Sequence, residues 1–326
     1  MKKWNIMMSM LALALAGSLL CSCGRSAAVT EKAETAEGTE IDAETETAAG
    51  TETDAETETA AGTETVAETE TVSETETEGK TDTDTEKETE NRPLSPSPEE
   101  ALLLPAETLI EPQADTDAYF VIRTIEEGDE VYNRIYGNSF PTDGGITTGE
   151  IRYLRVLHYD YNGQIRTGEI IVNAVAAEDT LAVFRELFDA EYQICQMVLV
   201  DAYYDAGWPE FAHLERGNQA DSVSIAHDNT SAFNYRVASN DFSKLSNHAM
   251  GRAIDLNPLE NPYVYVDGSV DGPNECLNYV DRSKATADNH MIQDGDFVVT
   301  TFKNHGFSWG GDWEGDKDYQ HFDYEG

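Results

Sequence analysis

The order of apolar and polar residues divides the chain into three parts. A short apolar run lies near the N-terminus, and a long stretch with almost no large apolar side chain follows it. In the C-terminal part, apolar positions recur with the periods of strands and helices. Only this last part, 115–326, can bury a core, and its length suffices for one domain.

Two strand patterns open the C-terminal part. Aromatic and β-branched residues at 118–125 predict a strand. Alternating runs at 151–161 and 164–173 flank Asn162-Gly163, a pair that tolerates the positive φ angles of a type I′ turn. We therefore expect a β-hairpin with a tight turn at this pair.

Helical periodicity appears in two segments. A helix is predicted at 178–192, behind Asp179 or Thr180 as the N-terminal cap. Its apolar face consists of Leu181, Phe184, Leu187 and Phe188. A second helix is predicted within 294–307, where Gly306 would close it.

The fold class follows from the order of these elements. Residues 196–204 predict another strand, and 307–313 predict a short strand and a turn. Strands and helices do not alternate as a doubly wound fold requires. The pattern therefore favours an α+β domain with an antiparallel sheet and packed helices.

The N-terminus has the layout of a secretory signal peptide: two lysines, an apolar run at 7–20, then small residues and cysteine. The run is shorter than the roughly 20 residues of a membrane span. Its end, "LCSCG", resembles the lipobox of bacterial lipoproteins, which implies a signal peptide at 1–23 and a lipidated Cys23. Cys21 fits less well because the bulky Leu20 precedes it. We expect a lipid-anchored, extracytoplasmic protein of the cell envelope; the alternative is an ordinary cleaved signal and a free secreted protein.

Between the signal and the domain the chain consists mainly of Thr, Glu, Ala and Gly. A twelve-residue repeat is visible in "AETETAAGTETD" and "AETETAAGTETV". Stacked copies would bury almost no apolar surface and like charges repel, so this is no solenoid. We predict a disordered, extended tether at 24–114, with the proline-punctuated stretch 91–113 as its last part, and the folded domain at 115–326.

The acidic composition of the chain limits the classes of partner that it can bind. Residues 31–100 contain 24 acidic against 4 basic residues, and 101–326 contain 39 against 14. No basic patch is available to hold phosphates. Nucleic acid and anionic lipid are therefore excluded as main partners, apart from membrane contact through the lipid anchor.

Candidate chemistry begins with "SNHAMGRAIDL", which places His248 and Asp255 in a small, apolar stretch. Buried polar groups need partners. His321, in "DKDYQHFDY", completes a set of two imidazoles and one carboxylate, which suits zinc with a fourth position open to water. Asp318 lies three residues before His321, where its carboxylate could take the proton of that water while the metal polarises a carbonyl.

These motifs resemble the D-alanyl-D-alanine carboxypeptidase family of zinc peptidases, over residues 170–326. "SNHAMGRAID" is similar to the family's His-and-Asp signature, and "WGGDW" followed by "DYQHF" is similar to the C-terminal signature of its L-alanyl-D-glutamate peptidase branch. The resemblance implies a hedgehog/DD-peptidase-like fold and a bound Zn²⁺. The implied ligands are His248, Asp255 and His321, with Asp318 as general base.

The resemblance also assigns a substrate-binding arginine. "NTSAFNYR" is similar to the segment that carries it, which makes Arg236 the candidate. A guanidinium can hold a polarised carbonyl oxygen or a substrate carboxylate. The alternative for Arg236 is a surface ion pair. Ser246, Asn247 and Gln320 could support the ligands or merely solvate the pocket.

The implied function is hydrolysis of peptidoglycan stem peptides, of the L-Ala–D-Glu endopeptidase type, by a monomer. One alternative is a D-Ala-D-Ala carboxypeptidase or dipeptidase of the same fold. Another is a zinc-stabilised binding module without catalysis, for which a base beside an open metal position would be useless. The remaining histidines are expected to be structural or solvated.

Overall fold

A computed structural model describes residues 92–113, 115–205, 213–238 and 241–326. All of these belong to one compact unit, 84–326. The predicted signal peptide, Cys23 and residues 24–91 of the predicted tether lie outside the described residues. Among the described residues, no helix is both long and apolar enough to span a bilayer.

The described elements mix helices with small antiparallel sheets, as expected for an α+β domain. The α-helices are α1 Pro98–Ala101, α2 Glu130–Ile135, α3 Ala177–Asp189, α4 His213–Ala226 and α5 Phe297–Asn304. The strands are β1 Val121–Arg123, β2 Ile151–Tyr159, β3 Ile165–Asn173, β4 Ala253–Asp255, β5 Tyr263–Val264, β6 Val270–Asp271, β7 Phe307–Trp309, β8 Lys317–Asp318 and β9 His321–Tyr324. They form three antiparallel sheets with the orders β1-β2-β3, β4-β9-β7 and β6-β5-β8.

The predicted hairpin is confirmed, and its predicted turn is wrong. Strands β2 and β3 pair in register from Ile151↔Asn173 to Tyr159↔Ile165. Only Gly163 of the Asn-Gly pair has a positive φ, 71°. The Asp160 carboxylate instead accepts hydrogen bonds from the backbone N–H groups of Asn162 and Gln164, at 2.8 and 2.9 Å, and so organises a longer loop than a two-residue type I′ turn.

One apolar core lies under the hairpin and under the strands that end the chain. Val183, Phe184 and Leu187 of α3 are almost completely buried against it. Phe302 of α5 stacks on Phe322 of β9, with ring centroids 3.9 Å apart. Each such side chain contributes roughly 1.5–3 kcal/mol relative to exposure. The core therefore fixes strand β9 directly.

Several local predictions need correction. Helix α3 begins at Ala177, so Asp179 and Thr180 lie in its first turn instead of capping it. The strand predicted at 118–125 is only Val121–Arg123, because Thr116–Tyr119 form a 3-10 helix. The second helix and its closing glycine are confirmed: α5 is followed by Gly306, with a φ of 80°.

Residues 196–204 do not form the predicted strand. The segment makes one isolated bridge, Gln196↔Asn229, and then enters a 3-10 helix at Val200–Tyr203. Strand β3 makes a backbone hydrogen bond to it, from the N–H of Glu169 to the carbonyl oxygen of Met197 at 3.1 Å, but side chains accept from two of its own N–H groups. The N–H of Met197 donates to Glu107 Oε1 at 2.7 Å, and the N–H of Val198 donates to Asn229 Oδ1 at 2.9 Å.

The end of the predicted tether packs on the domain. Leu94 bridges Ile110, which is 2% exposed, and Ala101 is also buried. Arg155 of β2 donates to the carbonyl oxygens of Ala101 and Leu104, at 3.2 and 3.0 Å. Packing therefore begins before residue 115.

The sequence leaves open whether Cys195 and Cys276 pair. In the structure both are buried, and no disulfide joins them.

Candidate metal centre

A short, capped turn presents His248. The 3-10 helix Asn247–Met250 begins after Ser246, whose hydroxyl accepts a hydrogen bond from the backbone N–H of His248 at 3.3 Å. Gly251 ends it with a φ of 63°. A Cβ at Gly251 would lie 2.6 Å from the backbone nitrogen of Asn173, so the motif requires glycine there for both reasons. His248 is 2% exposed and points inward.

Strand pairing places the other two ligands side by side. Asp255 of β4 is directly opposite His321 of β9 in an antiparallel pair, so both side chains project from the same face. His321 Nδ1 lies 2.9 Å from Asp255 Oδ1, His248 Nε2 lies 3.1 Å from Asp255 Oδ2, and the two imidazole nitrogens lie 3.3 Å apart.

These separations fit a metal ion. Zinc with ligands at about 2.0–2.1 Å in a tetrahedron holds its ligand atoms about 3.3 Å apart. One ligand atom from each of the three buried residues falls within 4.8 Å of the others. Burial acts to raise the pKa of Asp255, but the two adjacent imidazoles hold it well below its usual range, so the carboxylate is charged.

Hydrogen bonds fix which nitrogen of each imidazole faces the centre. His248 Nδ1 lies 2.6 Å from the carbonyl oxygen of Ala232, and His321 Nε2 lies 2.9 Å from Asp323 Oδ1. A carbonyl and a carboxylate only accept, so these two nitrogens carry the protons. The opposite nitrogens, Nε2 of His248 and Nδ1 of His321, both face the Asp255 carboxylate, and their lone pairs would serve a cation bound there.

The sequence reasoning missed Asp323. It lies two residues after His321 on β9, and residues two apart on a strand share a face. Asn247 Nδ2 also donates to Asp323 Oδ1, at 2.8 Å. The period of two in "HFDY" is the signal that could have identified it.

Asp318 comes from a different sheet. It lies on β8, opposite Tyr263 of β5, and a bend at Tyr319–Gln320 brings the chain round to His321. Its Oδ2 lies 3.9 Å from His321 Nδ1. Asp318 therefore lies beside the three predicted ligands and outside their group.

The electrostatic state of Asp318 suits proton transfer. Burial, together with the charge of Asp255, raises its pKa to about 7, against the opposing effects of His321, a hydrogen bond from Gln320 and the charge of Arg236. A carboxyl that titrates near neutrality can both accept and return a proton.

Two glycines of "WGGDW" make room for this arrangement. A Cβ at Gly310 would lie 2.5 Å from the backbone oxygen of Asp318. A Cβ at Gly311 would lie 2.3 Å from the indole ring of Trp309. Since real Cβ atoms do not come so close, neither position accepts a side chain without displacing its neighbour.

Arg236 reaches the same cavity as half of a buried ion pair. It is 5% exposed, and its Nη2 lies 2.9 Å from Asp221 Oδ2 of α4. The alternative of a surface pair is therefore wrong. Its Nε has no hydrogen-bond partner among the described residues.

Sequence reasoning missed α4 and Asp221 because the buried face of this helix is small and polar. That face consists of Gly217, Ala220, Asp221 and Ser224, which give no apolar period.

All five predicted site residues line one cavity of about 290 Å³, and the lipidation candidate Cys23 lies outside the described residues. Trp313 and Tyr263 form part of its wall. The cavity thus joins a three-ligand centre, a separate carboxylate and a guanidinium, which together can activate water and hold a carbonyl.

Comparison with known families gives one match. Residues 240–324 match the family model described as D-alanyl-D-alanine carboxypeptidase. The matched segment contains His248, Asp255, Asp318 and His321, and Arg236 lies before it. Neither the curated proteins nor the solved structures gave a significant match. The match supports a peptidase, and thus a hydrolase.

Proposed function

We propose that this protein is a zinc-dependent peptidase that hydrolyses peptidoglycan stem peptides, with the L-Ala–D-Glu bond as its target. The observation that carries the proposal is the pairing of two functions in one cavity. His248, Asp255 and His321 form a compact, buried ligand set. Asp318, from another sheet, is buried beside it without being part of it.

When bound, zinc would polarise the scissile carbonyl and acidify the attacking water. The chain's own residues carry the protons and hold the substrate. Asp318 takes the proton of the water and returns it to the leaving amine, which its pKa near 7 allows in both directions. The guanidinium of Arg236, with an unpartnered Nε, stabilises charge that develops on the carbonyl oxygen.

The arrangement of cations favours an endopeptidase over a D-Ala-D-Ala carboxypeptidase or dipeptidase. Those alternatives must bind a free terminal carboxylate, which calls for a cation to pair with it. Arg236 is paired with Asp221 and has one unpartnered nitrogen, Nε, which suffices for a carbonyl oxygen but not for the two-point contact that a carboxylate takes. Lys244, at the rim of the cavity, pairs with Asp241 and its side chain is 74% exposed.

A zinc-stabilised binding module accounts less well for Asp318. Burying a carboxylate costs free energy unless its oxygens are hydrogen-bonded. Asp318 Oδ1 has no hydrogen-bond partner among the described residues, although the side chain is buried. A structural metal site gains nothing from such a group, whereas a catalytic site uses it.

The predicted lipid anchor and acidic tether support a place in the cell envelope. A lipidated Cys23 would hold the protein at a membrane, and a self-repelling tether would let the domain reach the cell wall. We propose this arrangement on the sequence alone.

The deciding experiment is digestion of purified peptidoglycan with the zinc-loaded protein, followed by mass analysis of the products. Peptides that begin with D-Glu, and glycan that keeps L-Ala, are expected. Release of single D-Ala residues would favour the carboxypeptidase alternative. Intact peptidoglycan after incubation with a fully zinc-loaded protein would favour the binding module.

A further inference from the structure

One row of side chains crosses the small sheet that carries Asp318. Tyr263 of β5 pairs with Asp271 of β6 on one side and with Asp318 of β8 on the other. Directly opposite residues in antiparallel strands project from the same face, and all three line the cavity. With strands about 4.8 Å apart, the Cα atoms of Asp271 and Asp318 are separated by roughly 10 Å.

The unmet hydrogen-bonding groups of this cavity are mostly acceptors. Gln320 is 4% exposed, and its Oε1 has no hydrogen-bond partner among the described residues. The same holds for Asp318 Oδ1. Among the unpartnered buried atoms that line the cavity, Arg236 Nε is the one donor, within the described part of the chain. A ligand that forms hydrogen bonds with these unpartnered atoms must therefore supply mainly N–H groups.

The charged residues that line the cavity also favour a ligand with N–H groups, because most of them are acidic. Six aspartates line the cavity against one arginine and one lysine: Asp221, Asp241, Asp255, Asp271, Asp318, Asp323, Arg236 and Lys244. Both cations are paired, with Asp221 and Asp241. A divalent cation at the ligand set leaves two negative charges uncompensated, and Asp271, which is half-buried, forms no ion pair with a described residue.

We propose that Asp271 binds a primary ammonium group on the substrate, the side-chain amine of a diamino acid residue one or two positions from the scissile bond. This rests on the proposed function and names the substrate class of the same site. The separation of roughly 10 Å from the base matches one or two extended residues plus the reach of a lysine-length side chain. Gln320 Oε1 accepts an N–H of the same peptide near Asp318.

The test compares two peptides of the sequence Ala-γ-Glu-Lys-Ala, one with a free lysine side chain and one with that amine acetylated. The zinc-loaded protein should cleave the free-amine peptide with a kcat/KM higher by about tenfold, mainly through KM. Asp271→Asn should bring kcat/KM for the two peptides to within about twofold of each other, by lowering that for the free-amine peptide.

A matched control lies on the same hairpin. Asp267 is exposed, does not line the cavity, and accepts the backbone N–H of Ser269 at 2.9 Å, a bond that Asn can also accept. Asp267→Asn makes the same change of charge and should keep the preference for the free amine. Equal cleavage of both peptides by the unaltered protein, or an undiminished preference in Asp271→Asn, would overturn the proposal.

Calorimetry with the same peptides separates this proposal from the peptidase function. If the free-amine peptide bound more tightly but was not cleaved, the Asp271 subsite would be supported. The proposed peptidase function would then be refuted. Absence of both cleavage and an amine-dependent binding difference would refute the subsite.

Discussion

Asp323 orients one of the three proposed metal ligands, His321. Its carboxylate accepts the Nε2 proton of His321, so Nδ1, which faces Asp255 and His248, is the nitrogen that would bind a cation. Burial opposes ionisation of Asp323, but the bond from His321 holds its pKa below the ordinary value. The group is therefore charged at neutral pH and holds the imidazole in one tautomer.

We predict that Asp323→Ala weakens zinc binding by roughly 10- to 100-fold while the three ligands remain. Competition with a chromophoric chelator measures this affinity. Asp312→Ala is the control, because Asp312 contacts Lys303 at 2.6 Å on the surface and no ligand. An unchanged zinc affinity in Asp323→Ala would show that the imidazole needs no such support.

Among the structural elements, strand β8, which carries the proposed base Asp318, is positioned by its close approach to Gly310. Gly310→Ala forces a Cβ to within 2.5 Å of the Asp318 backbone oxygen. Overpacking of this kind costs about 1–3 kcal/mol of unfolding free energy and displaces β8. We expect lower stability in urea and lower activity with zinc retained.

Gly149→Ala is the comparison for that variant, since a Cβ there meets only Thr147 Oγ1, at an ordinary 3.7 Å. Its unfolding free energy and activity should stay close to those of the unaltered protein. If the Gly310 and Gly149 variants were equally stable and equally active, the close approach of Gly310 to the Asp318 backbone would be contradicted.

The elements also show where sequence reasoning works. The β2–β3 hairpin and α5 follow from local apolar patterns, and both are found. The segment 196–204 has an equally apolar pattern but is not a strand, because Glu107 and Asn229, distant in sequence, bind its backbone. The three predicted ligands come together in the structure, and the sequence could indicate them because zinc chemistry restricts residue type and spacing. Helix α4 and Asp221 could not be predicted, because the small and polar residues on the buried face of this helix give no apolar periodicity in the sequence.

For the molecule as a whole, one buried acidic pair makes stability depend on pH. Glu260 and Asp228 are each 4% exposed and hydrogen-bond to each other, and Tyr161 donates to Glu260 Oε2 at 3.0 Å. Burial, together with the charge of Asp228, raises the pKa of Glu260 to about 9. The folded protein therefore keeps a proton that the unfolded chain loses near pH 4.5.

The stability that this proton provides is complete below the unfolded pKa and is lost as pH rises towards 9. Glu260→Gln keeps an acceptor for Tyr161 and removes the titration. We predict that the Tm of this variant rises relative to the unaltered protein between pH 5 and pH 9, measured by thermal denaturation. Parallel Tm curves for the two proteins would refute the assignment.

The predicted lipid anchor concerns the molecule as a whole. If acyl chains on Cys23 are the sole attachment, Cys23→Ala should move the protein out of the membrane fraction or leave it unprocessed. Fractionation with immunodetection measures this. Unchanged retention of a correctly processed variant would remove the lipoprotein hypothesis.

Two aspartates of one cavity have different proposed roles: Asp255 binds the metal ion, and Asp318 accepts the proton of the attacking water. The direct measurement is zinc content and kcat of Asp255→Ala and Asp318→Ala, side by side. Asp255→Ala should lose zinc and activity together, because three protein ligands become two. Asp318→Ala should keep one zinc per chain while kcat falls by roughly 10²- to 10⁴-fold. The two roles would be contradicted if Asp318→Ala lost zinc as completely as Asp255→Ala. They would also be contradicted if Asp318→Ala kept full activity.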